Sequence, residues 1–242
     1  MTQSKKAIAI PTYNETENIP QILDAIHKVV PDFDILVIDD SSPDGTAQKV
    51  TDYIEAGNPW VSLKVRKNKE GLGAAYIDGF SQLIEQGYET IVQMDADFSH
   101  QPHYLVEMLK QREQGAGVVI GSRYVSGGGT KNWSFIRQLI SRGGSFYSGT
   151  ILGLSVNDVT AGYKLWNANT LKKVIAKPMI LGGFGFQIEM AYRTKLTTDK
   201  VVEIPIIFPD REAGESKMSG KIFKEALFGV WKLRTTKKEL LI

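Results

Sequence analysis

The sequence predicts an α/β fold: a Rossmann-like, mostly parallel central sheet with flanking helices and a C-terminal amphipathic helix. Three observations predict it. Short apolar runs alternate with segments of helical periodicity through the first half of the chain. Runs such as Ile35-Leu36-Val37-Ile38 are continuous rather than alternating, which suits strands covered on both faces. Polar clusters stand where those runs end, and sheets of this kind bind ligands outside the carboxyl ends of their strands.

Each element has its own signal. Residues 6–11 form an apolar run that ends at a turn, the first strand. Ile19, Ile22, Leu23, Ile26, Val29 and Val30 recur at helical spacing. A β-branched run at 34–38 ends in Asp39-Asp40, and Asp44-Gly45-Thr46 opens the next helix with Asp44 or Thr46 as its cap. A strand at 61–65, a helix at 74–86 and a strand at 90–94 follow, the last ending in Asp95-Ala96-Asp97. Pro102 starts a helix where proline is tolerated, and 117–120 is a fifth strand. The second half is less regular. Gly127-Gly128-Gly129 is a loop, 133–154 reads as a helix in two pieces, 163–166 as a short strand and 186–196 as a helix. Residues 201–208 read as a strand broken by Pro205, hence at an edge or bulge; 210–217 is a polar loop and 219–234 an amphipathic helix. Parallel strand–helix–strand units imply right-handed crossovers.

Bulk composition narrows the function. The chain has 242 residues, 42% hydrophobic and 23% charged, enough for one domain with a sizeable core. A net charge of +2 gives no signal for nucleic acid. The absence of cysteine excludes disulfides and thiolate-bound metals. Residues 1–6 lack a signal-peptide apolar core, and no segment reaches the ~18 uninterrupted apolar residues of a membrane span. The expectation is a soluble or peripheral intracellular protein.

Asp95-Ala96-Asp97 is the sharpest short motif. Two carboxylates leaving a buried strand, one small residue apart, suit a hard divalent cation that takes its other ligands from water and phosphate, with Ser99 a further candidate ligand. The plainer alternative is an acidic turn or a helix cap. Asp39 and Asp40 suit hydrogen bonds to a nucleotide base or ribose, or else an Asx turn into Ser41-Ser42-Pro43; one carboxylate can serve each. Arg137 and Ser141 lie four residues apart on one helix face, and with Arg123 they make a phosphate-binding set or ordinary surface residues. Arg211 and Lys217 flank a loop that either closes over a diphosphate or is simply solvated. His100 and His103 read as helix-start residues. There is no catalytic triad, nucleophile elbow or phosphate-binding P-loop.

Read together, these segments resemble the dolichyl/polyprenyl-phosphate mannosyltransferases of glycosyltransferase family 2. The resemblance runs through Ile10-Pro11-Thr12-Tyr13-Asn14-Glu15, residues 37–46, Glu70-Gly71-Leu72-Gly73, residues 94–100 and Gly121-Ser122-Arg123-Tyr124. It continues through Asp158-Val159-Thr160-Ala161-Gly162-Tyr163, Phe184-Gly185-Phe186-Gln187-Ile188-Glu189 and residues 208–219. It implies a single GT-A catalytic domain over 1–242, with a nucleotide-sugar half at 1–121 and an acceptor half at 122–242. It also implies a GDP-mannose donor, Mg²⁺ or Mn²⁺, and inverting transfer to a polyprenyl phosphate. Carried over residue by residue, Pro11, Tyr13, Glu15 and Asp39, with Asp40 beside it, are guanosine-side contacts. Ala96 and Asp97, with Asp95, are the donor and metal positions. Arg123, Arg137 and Ser141 face the acceptor phosphate, and Arg211 and Lys217 the donor diphosphate. Some relatives carry Gln at Ser99. Many relatives also extend into C-terminal transmembrane helices, so membrane contact here is expected from the domain's own surface or a separate membrane-anchoring subunit, on the cytoplasmic face.

Two surfaces answer to that expectation. One is the 219–234 helix, whose face of Ile222, Phe223, Ala226, Leu227, Val230 and Trp231 either lies on a membrane or packs on the sheet. The other comprises Trp133, Phe135, Ile136, Leu139 and Ile140. The rival readings are a UDP-glucose-dependent glucosyltransferase, a sugar nucleotidyltransferase, which ordinarily needs a glycine-rich loop that residues 11–18 do not supply, and a non-enzymatic nucleotide-binding module.

Overall fold

A computed structural model describes residues 4–183, 185–197, 199–210 and 220–240, and the side chains of all of these except 220–227 and 238–239. A seven-stranded sheet runs through it in the order β3-β2-β1-β4-β7-β5-β8. Its strands are β1 Lys6–Thr12, β2 Asp34–Asp39, β3 Val61–Val65, β4 Thr90–Gln93, β5 Val118–Ser122, β7 Lys164–Asn167 and β8 Val201–Pro205. β6 Gly129–Lys131 and β9 Ile207–Pro209 pair in parallel as a separate two-stranded sheet. The helices are α1 Ile19–Val29, α2 Thr46–Glu55, α3 Leu72–Glu85, α4 Tyr104–Glu113, α5 Phe135–Leu152, α6 Ala168–Val174, α7 Gly185–Thr197, α8 Gly220–Thr235 and α9 Lys237–Leu240.

The apolar strand runs account for the layering. One face of the sheet buries Ile8, Ile10, Val37 and Val92 with α1's stripe of Ile19, Ile22, Leu23 and Ile26. The other face buries Leu36, Ile38, Ile91 and Trp166 with Tyr76 and Phe80 of α3 and Phe186 and Met190 of α7. Fully burying side chains of this size contributes about 1.5–3 kcal/mol each before chain entropy is subtracted. α3 lies so close to β2 that a Cβ at Gly79 would stand 2.7 Å from Ile38 Cδ1.

Several details differ from the sequence reading. β7 is antiparallel to both neighbours, β4 and β5, so a segment from the second half of the chain splits the parallel sheet. Within 133–154 there is one helix, α5, not two pieces: Ser134 caps its start, Gly143-Gly144 stays helical, and Gly153 ends it in the left-handed conformation. The Gly127–Gly129 loop continues into β6. β8 is an edge strand ending at Pro205, as proline requires, and the chain then crosses into β9. α4 begins at Tyr104, after a turn over Pro102. At α2 the N-cap position is Gly45, while Asp44 Oδ1 accepts from the Thr46 backbone N–H and hydroxyl. α8 packs on α5 and α7 rather than on the sheet; Val230 and Leu233 are buried there, and Trp231 and Phe228 are exposed. The membrane-face candidates Ile222, Phe223, Ala226 and Leu227 lie outside the described side chains. Among the described residues no helix is long and apolar enough to cross a membrane.

Candidate active site

From β1 the chain builds outward through β2 to β3, then returns to place β4 on β1's other side. The loops after β1 and β4 therefore diverge and open a crevice at the switch point of the sheet. Three non-glycine residues adopt left-handed backbone around it: Asn14 at φ 62°, Ser41 at φ 53° and Phe98 at φ 58°, following β1, β2 and β4. Such residues cost of order 1–3 kcal/mol each and persist where their surroundings over-determine them. Here side chains do so: Asn14 N–H donates to Ser42 Oγ, Ser41 Oγ donates to the Arg66 carbonyl, and Ser99 N–H donates to Asp97 Oδ1.

On the β1–β2 side, Asp39 is fully buried and builds the turn with both oxygens. Oδ1 accepts from Thr12 and Ser42 hydroxyls, and Oδ2 from the Ser42 N–H. Asp40 Oδ1 pairs with Arg66 at 2.5 Å, so Asp39 closes the turn while Asp40 is held by a cation. Arg66 also reaches Glu70 and Asp78. Tyr13 lies under Lys69 Nζ, 3.2 Å from its ring centroid, Glu15 accepts from Asn18, and Pro11 is buried at the strand end.

After β4, the side chains of Asp95 and Asp97 are partly exposed and Ala96 is buried. Asp95 Oδ1 accepts from Tyr76 at 2.7 Å, and Asp97 Oδ1 accepts from the Ser99 hydroxyl at 2.5 Å. Ser99 thus orients Asp97. Burial and then Asp95's charge push the Tyr76 phenol well above its ordinary range, so it stays a donor. His100 does not start a helix. Its ring is buried, and Nδ1 accepts from the Asp95 N–H at 2.9 Å. Burial lowers its pKa against the pull of Asp95 and Asp97, so the ring is neutral and its 3.9 Å approach to Asp95 Oδ2 is no ion pair. Lys164 of β7 is buried beneath this loop. Its Nζ donates to Gln187 at 2.6 Å, and burial brings its pKa down to about 7 despite Asp158 and Asp95. Gln93, opposite Lys164 in the register, is buried with neither amide atom hydrogen-bonded.

The cationic side follows β5. Arg123, 7% exposed, makes a forked pair with fully buried Asp158: Nε to Oδ2 and Nη2 to Oδ1, both 2.7 Å. Nη2 also donates to Thr160. Burial alone would lower the guanidinium's pKa, but Asp158 outweighs it and leaves it raised. Arg123 is therefore charge-compensated. Arg137 is half-exposed, paired with Asp210 at 2.6 Å and stacked 3.9 Å over Trp133. Ser141 accepts from the Tyr124 hydroxyl at 2.6 Å. Phe208 joins the two sides, with its ring edge-on to Trp133 and to His100, both at 5.6 Å between centroids. The acid loop and Arg123, Arg137 and Ser141 thus border one aromatic-lined region. Arg211 and Lys217 lie outside the described residues.

Two half-exposed carboxylates on one loop fit a hard cation completed by phosphate and water. Among the described residues no group of three or more His, Cys, Asp or Glu could hold a metal ion by itself. Sequence reasoning gave Asp158 and Lys164 no role of their own and read His100 as a helix-start residue. A lysine inside an otherwise apolar strand was the legible signal for Lys164.

Comparison with known proteins places this site in a class. Residues 7–175 match the Glycosyl transferase family 2 profile. An undecaprenyl-phosphate mannosyltransferase of Micrococcus luteus is 46% identical over 221 residues, covering 91% of this chain and 90% of that one. A polyprenol monophosphomannose synthase of Mycolicibacterium smegmatis is 42% identical over 229 residues, covering 94% and 86%. Among solved structures, a Mycobacterium tuberculosis glucosyl-3-phosphoglycerate synthase with Mn²⁺, UDP-glucose and phosphoglyceric acid superposes with a TM-score of 0.65 at 17% identity, over 94% of this chain and 80% of that one. A Pyrobaculum calidifontis mannosyltransferase with GDP-Man and Mn²⁺ gives 0.58 at 15% identity, over 99% and 73%. The protein is an enzyme, a glycosyltransferase with the GT-A fold. It belongs to glycosyltransferase family 2.

Proposed function

We propose that this enzyme transfers mannose, with inversion, from GDP-mannose to a polyprenyl (dolichyl-type) monophosphate, giving polyprenyl-phosphate mannose and GDP. The observation that carries the reading is the shared region between the Asp95–Asp97 loop and Arg137, bridged by Phe208. The names of relatives at 42–46% identity support the same sugar and lipid class. The first half, 1–121, holds the nucleotide: Pro11, Tyr13, Glu15 and Asp39, with Asp40 beside it, border the guanosine, while Arg211 and Lys217 of the second half face the diphosphate. The second half, 122–242, holds the acceptor.

Asp95 and Asp97, with Ser99 as a further ligand, would hold Mg²⁺ or Mn²⁺, and Ala96 borders the donor. Such an ion neutralises charge on the departing nucleoside diphosphate. Arg137 and Ser141 grip the acceptor phosphate, and Arg123, locked to Asp158, fixes the segment that carries Tyr124. The Arg137–Asp210 pair is half-exposed and contributes about 0–1 kcal/mol, so a phosphate dianion can take Asp210's place. With a second pKa of ~6 that phosphate is already ionised near neutral pH, and it attacks the anomeric carbon without a general base. The protein's task is positioning and charge stabilisation.

The acceptor's lipid tail needs a surface. α5 exposes Phe135, Ile136, Leu139, Ile140 and Phe146 beside Arg137, an apolar face with a basic flank that suits the cytoplasmic leaflet. Replacing Phe135 and Ile136 by Glu should abolish co-sedimentation with anionic vesicles; unchanged binding removes this surface from the proposal. The activity is tested with GDP-mannose and UDP-glucose, each offered with polyprenyl phosphate. Labelled lipid from GDP-mannose is expected. Product from UDP-glucose alone favours the glucosyltransferase reading, and no lipid product from either refutes lipid transfer.

A further inference from the structure

His100 is the side chain on which the acid loop is built, yet it touches neither proposed substrate. Three contacts fix it. Nδ1 accepts the Asp95 backbone N–H at 2.9 Å. The ring stacks on Tyr163 at 4.8 Å between centroids and 16° between planes, and meets the edge of Phe208 at 5.6 Å. Below it the chain is glycine: a Cβ at Gly162 would stand 3.2 Å from His100 Cε1, so a larger residue there would crowd the ring. The imidazole is only 1% exposed, and a buried ring that accepts at Nδ1 is the neutral Nε2–H tautomer.

The loop it holds needs holding. Phe98, between Asp97 and Ser99, has left-handed backbone, and the bonds from Ser99 to Asp97 secure only the far end of the turn. The near end is fixed by Tyr76 on the Asp95 side chain and His100 on the Asp95 backbone. Without that acceptor, the part-buried Asp95 N–H would lose its partner, at a cost of up to about 1–3 kcal/mol that the loop would relieve by moving. The same ring packs on Phe208, which also packs on Trp133 beneath Arg137, so it joins the acid loop to the cationic side of the site.

We propose that His100 is a positioning residue: its neutral Nδ1 fixes the backbone of Asp95, and its stacked ring sets the acid loop against the Phe208–Trp133 cluster, so that the two carboxylates converge on a divalent cation. This rests on the metal reading of Asp95 and Asp97. Residues that orient metal ligands typically change metal affinity about 10–100-fold when replaced.

Two substitutions separate the acceptor from the ring. His100→Phe keeps a ring for Tyr163 and Phe208 but removes Nδ1. His100→Asn removes the ring but places an amide oxygen near the Nδ1 position. Mn²⁺ binding in the presence of saturating GDP, which supplies the phosphate ligands, is followed by electron paramagnetic resonance of the free ion against a GDP-only control, without turnover, and folding by thermal melting. His100→Phe should melt near the wild type yet bind Mn²⁺ at least about tenfold more weakly, while His100→Asn stays within a few-fold. Nitrogen-15 shifts of His100 in the wild type should show an unprotonated Nδ1 and a protonated Nε2. A Phe variant that binds Mn²⁺ as the wild type does, an Asn variant that loses as much as Phe, or an Nδ1–H tautomer each overturns the positioning role alone. Wild-type protein that takes up no Mn²⁺ overturns the metal reading first, and the positioning role with it.

Discussion

Lys164→Met isolates the cost of burying an ammonium beneath the acid loop. Held at about 7 instead of 10.5, the protonated side chain costs the folded state up to roughly 5 kcal/mol. The pH dependence follows from proton counts. Below about pH 7 folded and unfolded chains both carry the proton, and the cost is fully present. Between about 7 and 10.5 the unfolded chain keeps a proton that the folded one has released, so wild-type stability climbs by about 1.4 kcal/mol per pH unit. Methionine has similar length, fills the site and does not titrate. It leaves Gln187 Oε1 without its donor, a pH-independent loss of about 1–3 kcal/mol. The variant should therefore be more stable by about 2–4 kcal/mol near pH 6, and that advantage should shrink by about 2–3 kcal/mol near pH 9. Urea unfolding of both proteins across this range measures it. A difference that does not vary with pH would refute a buried, titrating Lys164.

Other perturbations address the site itself. Asp97→Ala should abolish transfer from GDP-mannose while melting near the wild type; full activity removes the metal reading. Asp158→Asn should destabilise the fold by about 3–5 kcal/mol in urea unfolding, because Arg123 is left buried with half of its forked partner gone; a loss below ~1 kcal/mol would show that the pair is solvated. Arg137→Ala should raise KM for the lipid phosphate far more than KM for the donor in steady-state assays, and equal effects would argue against a grip on the acceptor.

Much of the fold was legible because its physics is local. The continuous apolar runs of β1, β2 and β4 and the stripe of α1 announce themselves by periodicity. Insertion of β7 between β4 and β5 was not legible, since a four-residue strand carries no signal of direction or partner. The paired glycines at 143 and 144 misled because propensity favours a break there, whereas the Ser134 cap and the packing of Ser145, Ser148 and Leu152 keep α5 whole. At the site, the acids after β4 stood out by type and spacing. The partners of the cationic side did not: Asp158 meets Arg123 across 35 residues, and Arg137 meets Asp210 across 73. Asp39 shows a related limit. A strand-end acid looks the same in sequence whether it faces a ligand or closes its own turn, and here Thr12 and Ser42 donate to both oxygens, the turn-closing role that the sequence also offered.

The claim beneath the whole account is proximity between a cation on the acid loop and a phosphate at Arg137. Relaxation of the phosphorus-31 signal of a short-chain polyprenyl phosphate, with Mn²⁺ and GDP bound to the enzyme, reads that distance directly. Strong Mn²⁺-dependent broadening is expected, lost in Asp97→Ala and weakened in Arg137→Ala. A phosphorus signal that saturable lipid binding leaves unbroadened by Mn²⁺ would contradict it.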